Sequence, residues 1–356
     1  MQPRSFIDFE DISLDEWENL YETAQRIKKN PLLFKQTEWC SGRVMATLFY
    51  EPSTRTQMSF QAAILRLGGS YIGFSDPNNS SVIKGESFRD TVKIVAGYSD
   101  IVVIRSPLEG AAFAASLYST VPIINAGDGS HLHPTQTLMD IMTIRETKSS
   151  LSGLKIGLCG DLLNGRTVHS LSKALAKLGR NKYYLISTDE LRIPDYVREL
   201  LKQNGGEVIE LSSLEECIGE LDILYMTRIQ RERFKSQEQF DAQSGVYILD
   251  PSKMRLAKAN MIVLHPLPKV DEIEHTVDDD PRAKYFEQAE NGMYIRMALT
   301  MMYLKNVKER ARITETYPLP SRQFCNNPRC ITNHEKYLPE MVTESGTCAY
   351  CEWKIK

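Results

Sequence analysis

Residues 50–60 read YEPSTRTQMSF. They follow the apolar run ATLFY and lead into TQMSFQAAILRLGG, where Met58, Ala62 and Leu65 share one helical face and Gly68-Gly69 stop the pattern. A strand that passes into a helix through Ser53, Thr54, Arg55 and Thr56 is the strand-to-helix turn of a parallel α/β sheet, where such sheets gather ligands. A helix N terminus offers unpaired N–H groups and a positive dipole end. Three hydroxyls and a guanidinium complete a seat for phosphate. A plain serine or threonine N-cap explains one hydroxyl, not three and an arginine.

Outward from this turn the same alternation continues. RVMATLFY, GSYIGFSD, DIVVIRSP and VPIINAGD read as strands with helical segments between them, and LKIGLCGD, KYYLIST, LDILYMTR and MIVLHPLP form a second series. Strands separated by helices imply parallel sheets joined by right-handed crossovers. The expected fold is therefore α/β, with two doubly wound parallel-sheet lobes and a small C-terminal module. MDIMTIRETKSSLS, a helix running into a polar connector, puts the boundary between lobes 1–145 and 146–289. The helical NGMYIRMALTMMYLK, at about 290–306, completes the first lobe, and ERARITETYPLPSRQF links it to a tail at 320–356.

The totals exclude several classes. A chain of 356 residues, 42% hydrophobic, has ample material for two cores. A net charge of −3 creates no global field for nucleic acid or anionic lipid, so any anion must be held by locally focused arginines. No run approaches the ~20 apolar residues of a membrane span, and MQPRSFIDFEDISLDEW lacks a charged-then-apolar leader pattern. The expectation is a soluble cytoplasmic protein with neither nucleic-acid nor membrane partners. Cys40, Cys159 and Cys217 read as buried small hydrophobes.

Further chemistry lies at the ends of the other strands. Arg105 ends DIVVIR, where a charge must face a crevice or a partner. In GSHLHPTQTLMD, Pro134 suits the first turn of a helix, which places His133 at its mouth and Gln136 inside it. The positive helix end keeps such a histidine neutral and able to donate to a polarised carbonyl. His131, His169, His275 and His334 read as structural. CGDLLNGRTVHSL lacks the GxGxxG spacing of a dinucleotide loop, and Arg166 at its turn suits a carboxylate better. YMTRIQ offers Arg228 and Gln230 at a similar position. In LHPLP, Pro266 and Pro268 hold their predecessors extended, leaving carbonyls around Leu267 to accept from an amine or amide. Arginines for several anionic groups, a neutral histidine and carbonyl acceptors suit transfer of an acyl-like group from phosphate to the amine of a dicarboxylate.

STRT, HPTQ, GRTVHSL, MTRIQ.ER and HPLP, in this order and spacing, resemble the aspartate carbamoyltransferase catalytic chains from roughly residue 5 to 305. The sister ornithine enzymes resemble the first lobe equally but carry cysteine in a His-Cys-Leu-Pro stretch. Pro266 here, with Arg228 and Gln230, favours aspartate. The resemblance implies carbamoyl transfer from carbamoyl phosphate to L-aspartate in pyrimidine synthesis. It implies that Ser53, Thr54, Arg55, Thr56 and Arg105 hold phosphate, and that Thr56, Arg105 and His133 polarise the carbamoyl oxygen. Gln136 and the carbonyls at Leu267 and Pro268 would hold its amide, and Arg166, Arg228 and Gln230 would hold aspartate. SDPNNSSVIKGES matches a loop that reaches into a neighbouring subunit's site, with Ser80 and Lys84 as its ligands, which implies a homotrimer with shared sites. Ile83 interrupts the usual lysine pair, Arg89 and Lys93 read as solvated charges, and Tyr50 replaces a common phenylalanine. A non-catalytic scaffold of the same fold would have no need of His133, Arg166 and Arg228 together.

The tail departs from that pattern. CNNPRC and CAYC place Cys325, Cys330, Cys348 and Cys351 as C-x4-C, seventeen residues, C-x2-C. Four thiolates at this spacing make a closed structural zinc site, one ion per chain. The segment resembles the zinc portion of aspartate carbamoyltransferase regulatory chains, without their nucleotide-binding part. The resemblance implies a role in assembly, with the tail either folded back on its own chain or bridging to another trimer. A tail this short must draw folding energy from its metal.

Overall fold

The computed structural model describes residues 3–36, 38–229, 234, 236–243, 245–305 and 325–355. It divides into two compact units, Met1–Thr135 with Gly292–Lys356, and Gln136–Asn291.

In the first unit, β1 (Val44–Phe49), β2 (Ser70–Phe74), β3 (Ile101–Ser106) and β4 (Ile123–Asp128) form a parallel sheet in the order β2-β1-β3-β4. β3 and β4 are buried throughout, as the near-continuous apolar run of a covered parallel strand requires, and β2 is the exposed edge. The helices are α1 (Leu14–Lys29), α2 (Pro31–Gln36), α3 (Thr54–Arg66), α4 (Phe88–Tyr98), α5 (Ala111–Tyr118) and α6 (Pro134–Lys148), the last only entering from this unit. Ser13 and Glu16 close a capping box that starts α1. The buried stripe of α3 is Thr56, Phe60, Ala63 and Ile64, and Met58 and Leu65 are exposed. The apolar face read from Met58 and Leu65 is thus the outer one. Phe6 pairs along β4, donating its N–H to Ile123 and accepting from Asn125, which covers that edge.

The second unit carries β5 (Lys155–Cys159), β6 (Lys182–Ile186), β7 (Glu207–Leu211), β8 (Ile223–Met226) and β9 (Ile262–Leu264), all parallel, in the order β7-β6-β5-β8-β9. Its helices are α7 (Arg166–Leu178), α8 (Asp195–Gln203), α9 (Gln237–Gln243) and α10 (Pro251–Leu256), and it contains the start of α11 (Tyr285–Leu304). β7 has no counterpart among the strands read from sequence. It is a half-exposed edge with Glu207 and Glu210 facing out, so the apolar run is missing.

The two compact units part within α6, between Thr135 and Gln136. From Gln136 onward α6 is tied within the second unit: Gln136, Tyr225 and Gln288 all donate to Asp140, and Asn291 donates to Thr143 and Glu146.

Residues 325–355 fold within the first unit. Ile331, Leu338, Met341 and Tyr350 join one apolar cluster with Ala111, Ala115 and Tyr118 of α5, so docking adds to whatever a metal supplies. Arg89 and Lys93 are not simply solvated. Arg89 lies over the Tyr337 ring at 4.8 Å, and Lys93 over Tyr118 at 5.7 Å. No described helix is long and apolar enough to cross a membrane.

Candidate active site and four-cysteine cluster

In a doubly wound sheet, ligands bind where the chain winds off in opposite directions. In the first unit that point lies between β1 and β3, and the turn after β1 carries Ser53, Thr54, Arg55 and Thr56. Ser53 occupies the N-cap of α3 but makes no side-chain capping bond, so capping does not account for its hydroxyl. Thr56 is buried, and Thr54 and Arg55 are exposed.

Arg105 stands across from Phe49 at the end of β3. Its own N–H-side neighbour is β1, where Tyr50 donates to the Arg105 carbonyl at 2.8 Å, and on the other side the β3–β4 register shifts between Ile104 and Ser106. Such an irregularity re-aims a side chain out of the pleat. The guanidinium, in a residue only 7% exposed, reaches Glu51 at 2.8 Å, the Ala126 carbonyl at 3.3 Å and His133 Nε2 at 3.3 Å. A guanidinium only donates, so His133 Nε2 accepts and the ring proton sits on Nδ1. That tautomer is a neutral imidazole, standing directly before α6. Gly127 makes the approach possible. Its backbone is left-handed (φ +117°), and a Cβ there would lie 2.9 Å from Arg105 Nη1 and 3.3 Å from His133 Cδ2.

Two residues of this set were not singled out from the sequence. Glu51 belongs to the quoted turn, yet its pairing with Arg105 depends on strand neighbours far apart in the chain. Arg296 of α11 donates to Ser59 at 2.8 Å and to Thr135 at 3.5 Å, joining the helix after STRT to the start of α6. An arginine inside the apolar NGMYIRMALTMMYLK was its visible signal. Ser80 and Lys84 stand apart from these residues, on the loop between β2 and α4. Ser80 bonds only locally, to Pro77 and Val82, and Lys84 is exposed and makes no hydrogen bond or ion pair among the described residues.

In the second unit the winding reverses between β5 and β8. Arg166 is the first residue of α7 after β5, Arg228 follows β8, and Leu267-Pro268 follow β9, so all three positions lie at carboxyl ends of adjacent strands. Gln230 lies outside the described residues. The Leu267-Pro268 bond is cis, and Leu267 has a positive φ of 53°. Its N–H donates to His265 Nδ1 at 2.8 Å, so His265 Nε2 carries the proton that faces Glu272 at 2.6 Å. Burial alone would raise the Glu272 pKa, but the hydrogen bond from His265 and those from backbone N–H groups, Val270 among them, outweigh it and lower the pKa from its ordinary value.

Gln136 donates its Nε2 to Asp140 at 2.8 Å. An ionised carboxylate only accepts, so this contact fixes the amide with its oxygen as the free-standing acceptor end. Asp140 is fully buried and takes two more bonds, from Gln288 and from Tyr225 at 2.9 Å. Burial, then the Asp140 charge, hold the Tyr225 phenol well above its ordinary pKa, so it stays a donor. Asp140 sits one turn beyond Gln136, which was the only sequence signal for it.

Cys325, Cys330, Cys348 and Cys351 are buried, and their sulfurs all lie within 4.8 Å of one another. Cys325 and Cys351 are 3.6 Å apart and Cys330 and Cys348 3.8 Å. A tetrahedron with Zn–S of about 2.3 Å has an S–S edge of about 3.8 Å, so the cluster has the dimensions of a four-thiolate metal site. All seven cysteines are free thiols, and Cys40, Cys159 and Cys217 are buried as expected.

The sequence model described as the aspartate/ornithine carbamoyltransferase carbamoyl-P binding domain matches residues 4–146, and the one described as the Asp/Orn binding domain matches residues 152–303. Both stop short of the four cysteines. The aspartate carbamoyltransferase catalytic subunit of Clostridium novyi is 57% identical over 299 residues, 84% of this chain and 97% of the relative. The same subunit of Clostridium perfringens is 56% identical over 300 residues, with the same coverage. Among solved structures, the catalytic subunit of M. jannaschii aspartate transcarbamoylase aligns with a TM-score of 0.80 and 43% identity, covering 86% of this chain and 100% of that one. Aspartate transcarbamoylase from Trypanosoma cruzi, in complex with carbamoyl phosphate and aspartate, aligns with a TM-score of 0.79 and 38% identity, covering 84% of this chain and 96% of that one. The chain belongs to the aspartate/ornithine carbamoyltransferases, in the aspartate carbamoyltransferase catalytic-subunit family.

Proposed function

We infer that this chain carries out its family's reaction with the residues described above. Aspartate carbamoyltransferase joins the amine nitrogen of L-aspartate to the carbamoyl carbon of carbamoyl phosphate. The carbon–oxygen bond to phosphate breaks, giving N-carbamoyl-L-aspartate and phosphate for de novo pyrimidine synthesis. The observation that carries the reading is the buried Arg105 guanidinium in contact with a neutral His133 at the winding point of the first sheet.

Ser53, Thr54, Arg55, Thr56 and Arg105 bind the phosphate, whose arrival exchanges Glu51 for a phosphoryl oxygen at Arg105. Thr56, Arg105 and His133 donate to the carbamoyl oxygen as it becomes an oxyanion. Gln136, its oxygen aimed by Asp140, and the carbonyls at Leu267 and Pro268 accept from the carbamoyl amide. Arg166, Arg228 and Gln230 bind the two carboxylates of aspartate. Catalysis is positioning plus oxyanion stabilisation, and neither a covalent nucleophile nor a catalytic metal is required. Ser80 and Lys84 complete the site of a neighbouring subunit in a homotrimer. Free thiols throughout suit the cytoplasm. A colorimetric assay for ureido product tests the reading. Product is expected with L-aspartate and not with L-ornithine, and the reverse preference would move the chain to the sister activity.

The four cysteines hold one structural zinc, in a module resembling that of regulatory chains, and support assembly of trimers. Metal analysis is expected to find one zinc per chain. A Cys348→Ser, Cys351→Ser variant should lose it and assemble less well, with reduced turnover left in the trimers that survive. Full metal content in that variant would place the ion elsewhere.

A further inference from the structure

The tail does more than rest on the lobe; it grips the turn that delivers His133. Asp128–Leu132 is a tight turn. Asp128 N–H donates to the Leu132 carbonyl at 3.1 Å, and the Asp128 carboxylate accepts from the N–H groups of Leu132 at 3.0 Å and Gly110 at 2.8 Å. The next residue is His133. On its inner side the turn is therefore held by its own lobe. On its outer side it is held by residues 325–355.

Three contacts make that hold. Glu109, 4% exposed, accepts from Asn327 at 2.6 Å and from Arg329 Nε at 3.0 Å, while its backbone exchanges bonds with Arg329 and Ile331 at 2.9 and 3.0 Å. Gly129 rests on Glu109, since a Cβ at this left-handed residue (φ +54°) would lie 2.7 Å from Glu109 Cγ. Arg329 Nη1 donates to Ser130 at 3.2 Å. Finally, His131 spans the seam, with Nδ1 3.1 Å from Asp128 and Nε2 3.3 Å from Glu352 of the tail. The ring is thus faced by one carboxylate on each nitrogen, one from the turn and one from the tail. Glu352 itself holds a left-handed backbone (φ 56°), a conformation glycine would adopt at lower cost, yet it bears the carboxylate that meets His131.

The tail also touches a second element of this lobe. The N terminus of α4, just after the Lys84 loop, gives its Phe88 N–H to Glu335 at 3.3 Å and its Arg89 N–H to the Tyr337 hydroxyl at 2.7 Å.

We propose that the four-cysteine tail is a positioning element for catalysis: through Glu352 and Arg329 it clamps the Asp128–Leu132 turn and so sets where the His133 imidazole stands. Glu352, Arg329 and His131 are positioning residues that never touch substrate. The proposal rests on the reading of His133 as the donor to the carbamoyl oxygen.

The test uses the full-length, metal-loaded enzyme. Glu352→Ala is expected to lower kcat about tenfold, since small displacements of a catalytic group are costly. KM for carbamoyl phosphate should stay within about twofold, with metal content and oligomeric size unchanged. Glu352→Gln, which keeps an acceptor for His131, should recover most of the loss. Arg329→Ala should show the same split. His131→Gln on the lobe side should mimic Glu352→Ala, and combining the two should cost little more than either, as coupled partners do. Wild-type kcat in Glu352→Ala and Arg329→Ala, beside a normal defect in His133→Ala, overturns this proposal alone. A loss that only tracks departing metal, or additive effects of His131→Gln and Glu352→Ala, also overturns it. Normal turnover in His133→Ala overturns the underlying reading and this proposal with it.

Discussion

His133→Ala is expected to lower kcat by about 10²–10³-fold, equivalent to roughly 3–4 kcal/mol of transition-state stabilisation, with little change in carbamoyl phosphate affinity. In the proposed function the ring donates to an oxygen whose negative charge grows only as the aspartate amine attacks, so its contribution is far larger in the transition state than in the ground state. In the proposed function phosphate binding is carried by STRT and Arg105, which the substitution leaves in place. Loss of the imidazole also removes the 3.3 Å contact to Arg105 Nη1, but the Ala126 carbonyl and Glu51 still orient that guanidinium. Steady-state kinetics with each substrate varied at saturation of the other separates the two effects. Arg228→Ala should show the opposite split, a raised KM for aspartate. Near-normal kcat in His133→Ala would remove the oxyanion role.

The second large effect is a recovery of activity. Lys84→Ala and Arg105→Ala chains, each inactive as pure trimers, are expected to regain turnover when dissociated, mixed and reassembled. Lys84 is exposed and unpaired among the described residues, whereas Arg105 is buried at the winding point of the same lobe. If the Lys84 loop serves a neighbour, a hybrid trimer contains interfaces where an intact Lys84 from one chain meets an intact Arg105 from the next. The measurement is ureido product from hybrids separated by a charge tag. Hybrids as inactive as the parents would mean that each site is built within one chain.

Much of the first lobe was legible because its signals are local. STRT and HPTQ each stand at the start of a helix that follows a strand, so each is written in consecutive residues. The four cysteines were legible through spacing alone. What escaped is non-local or amphipathic in the wrong sense. β7 carries Glu207 and Glu210 on an edge and lacks the apolar run that marks its neighbours. Met58 and Leu65 drew attention to the outer face of α3, because a large side chain on a surface looks like a core residue until its neighbours are known. Glu51, Asp140, Tyr225 and Arg296 act through partners tens to hundreds of residues away, and only strand order and helix packing bring each to its place. Tail docking was equally invisible: Glu109 and Gly129 carry no motif, and their meaning comes from Arg329 and Asn327 arriving from the far end of the chain.

The seam between residues 325–355 and the lobe has a consequence for mass action. A brace on a separate polypeptide would bind with a dissociation constant and fall away on dilution. Here brace and turn belong to one chain, and for tethered partners the local concentration is on the order of millimolar whatever the bulk concentration. Stoichiometry is fixed at translation, one brace per His133. Every copy of the chain therefore carries its own tail, and under the proposed bracing role mixtures of braced and unbraced sites, the raw material of control by subunit exchange, do not arise.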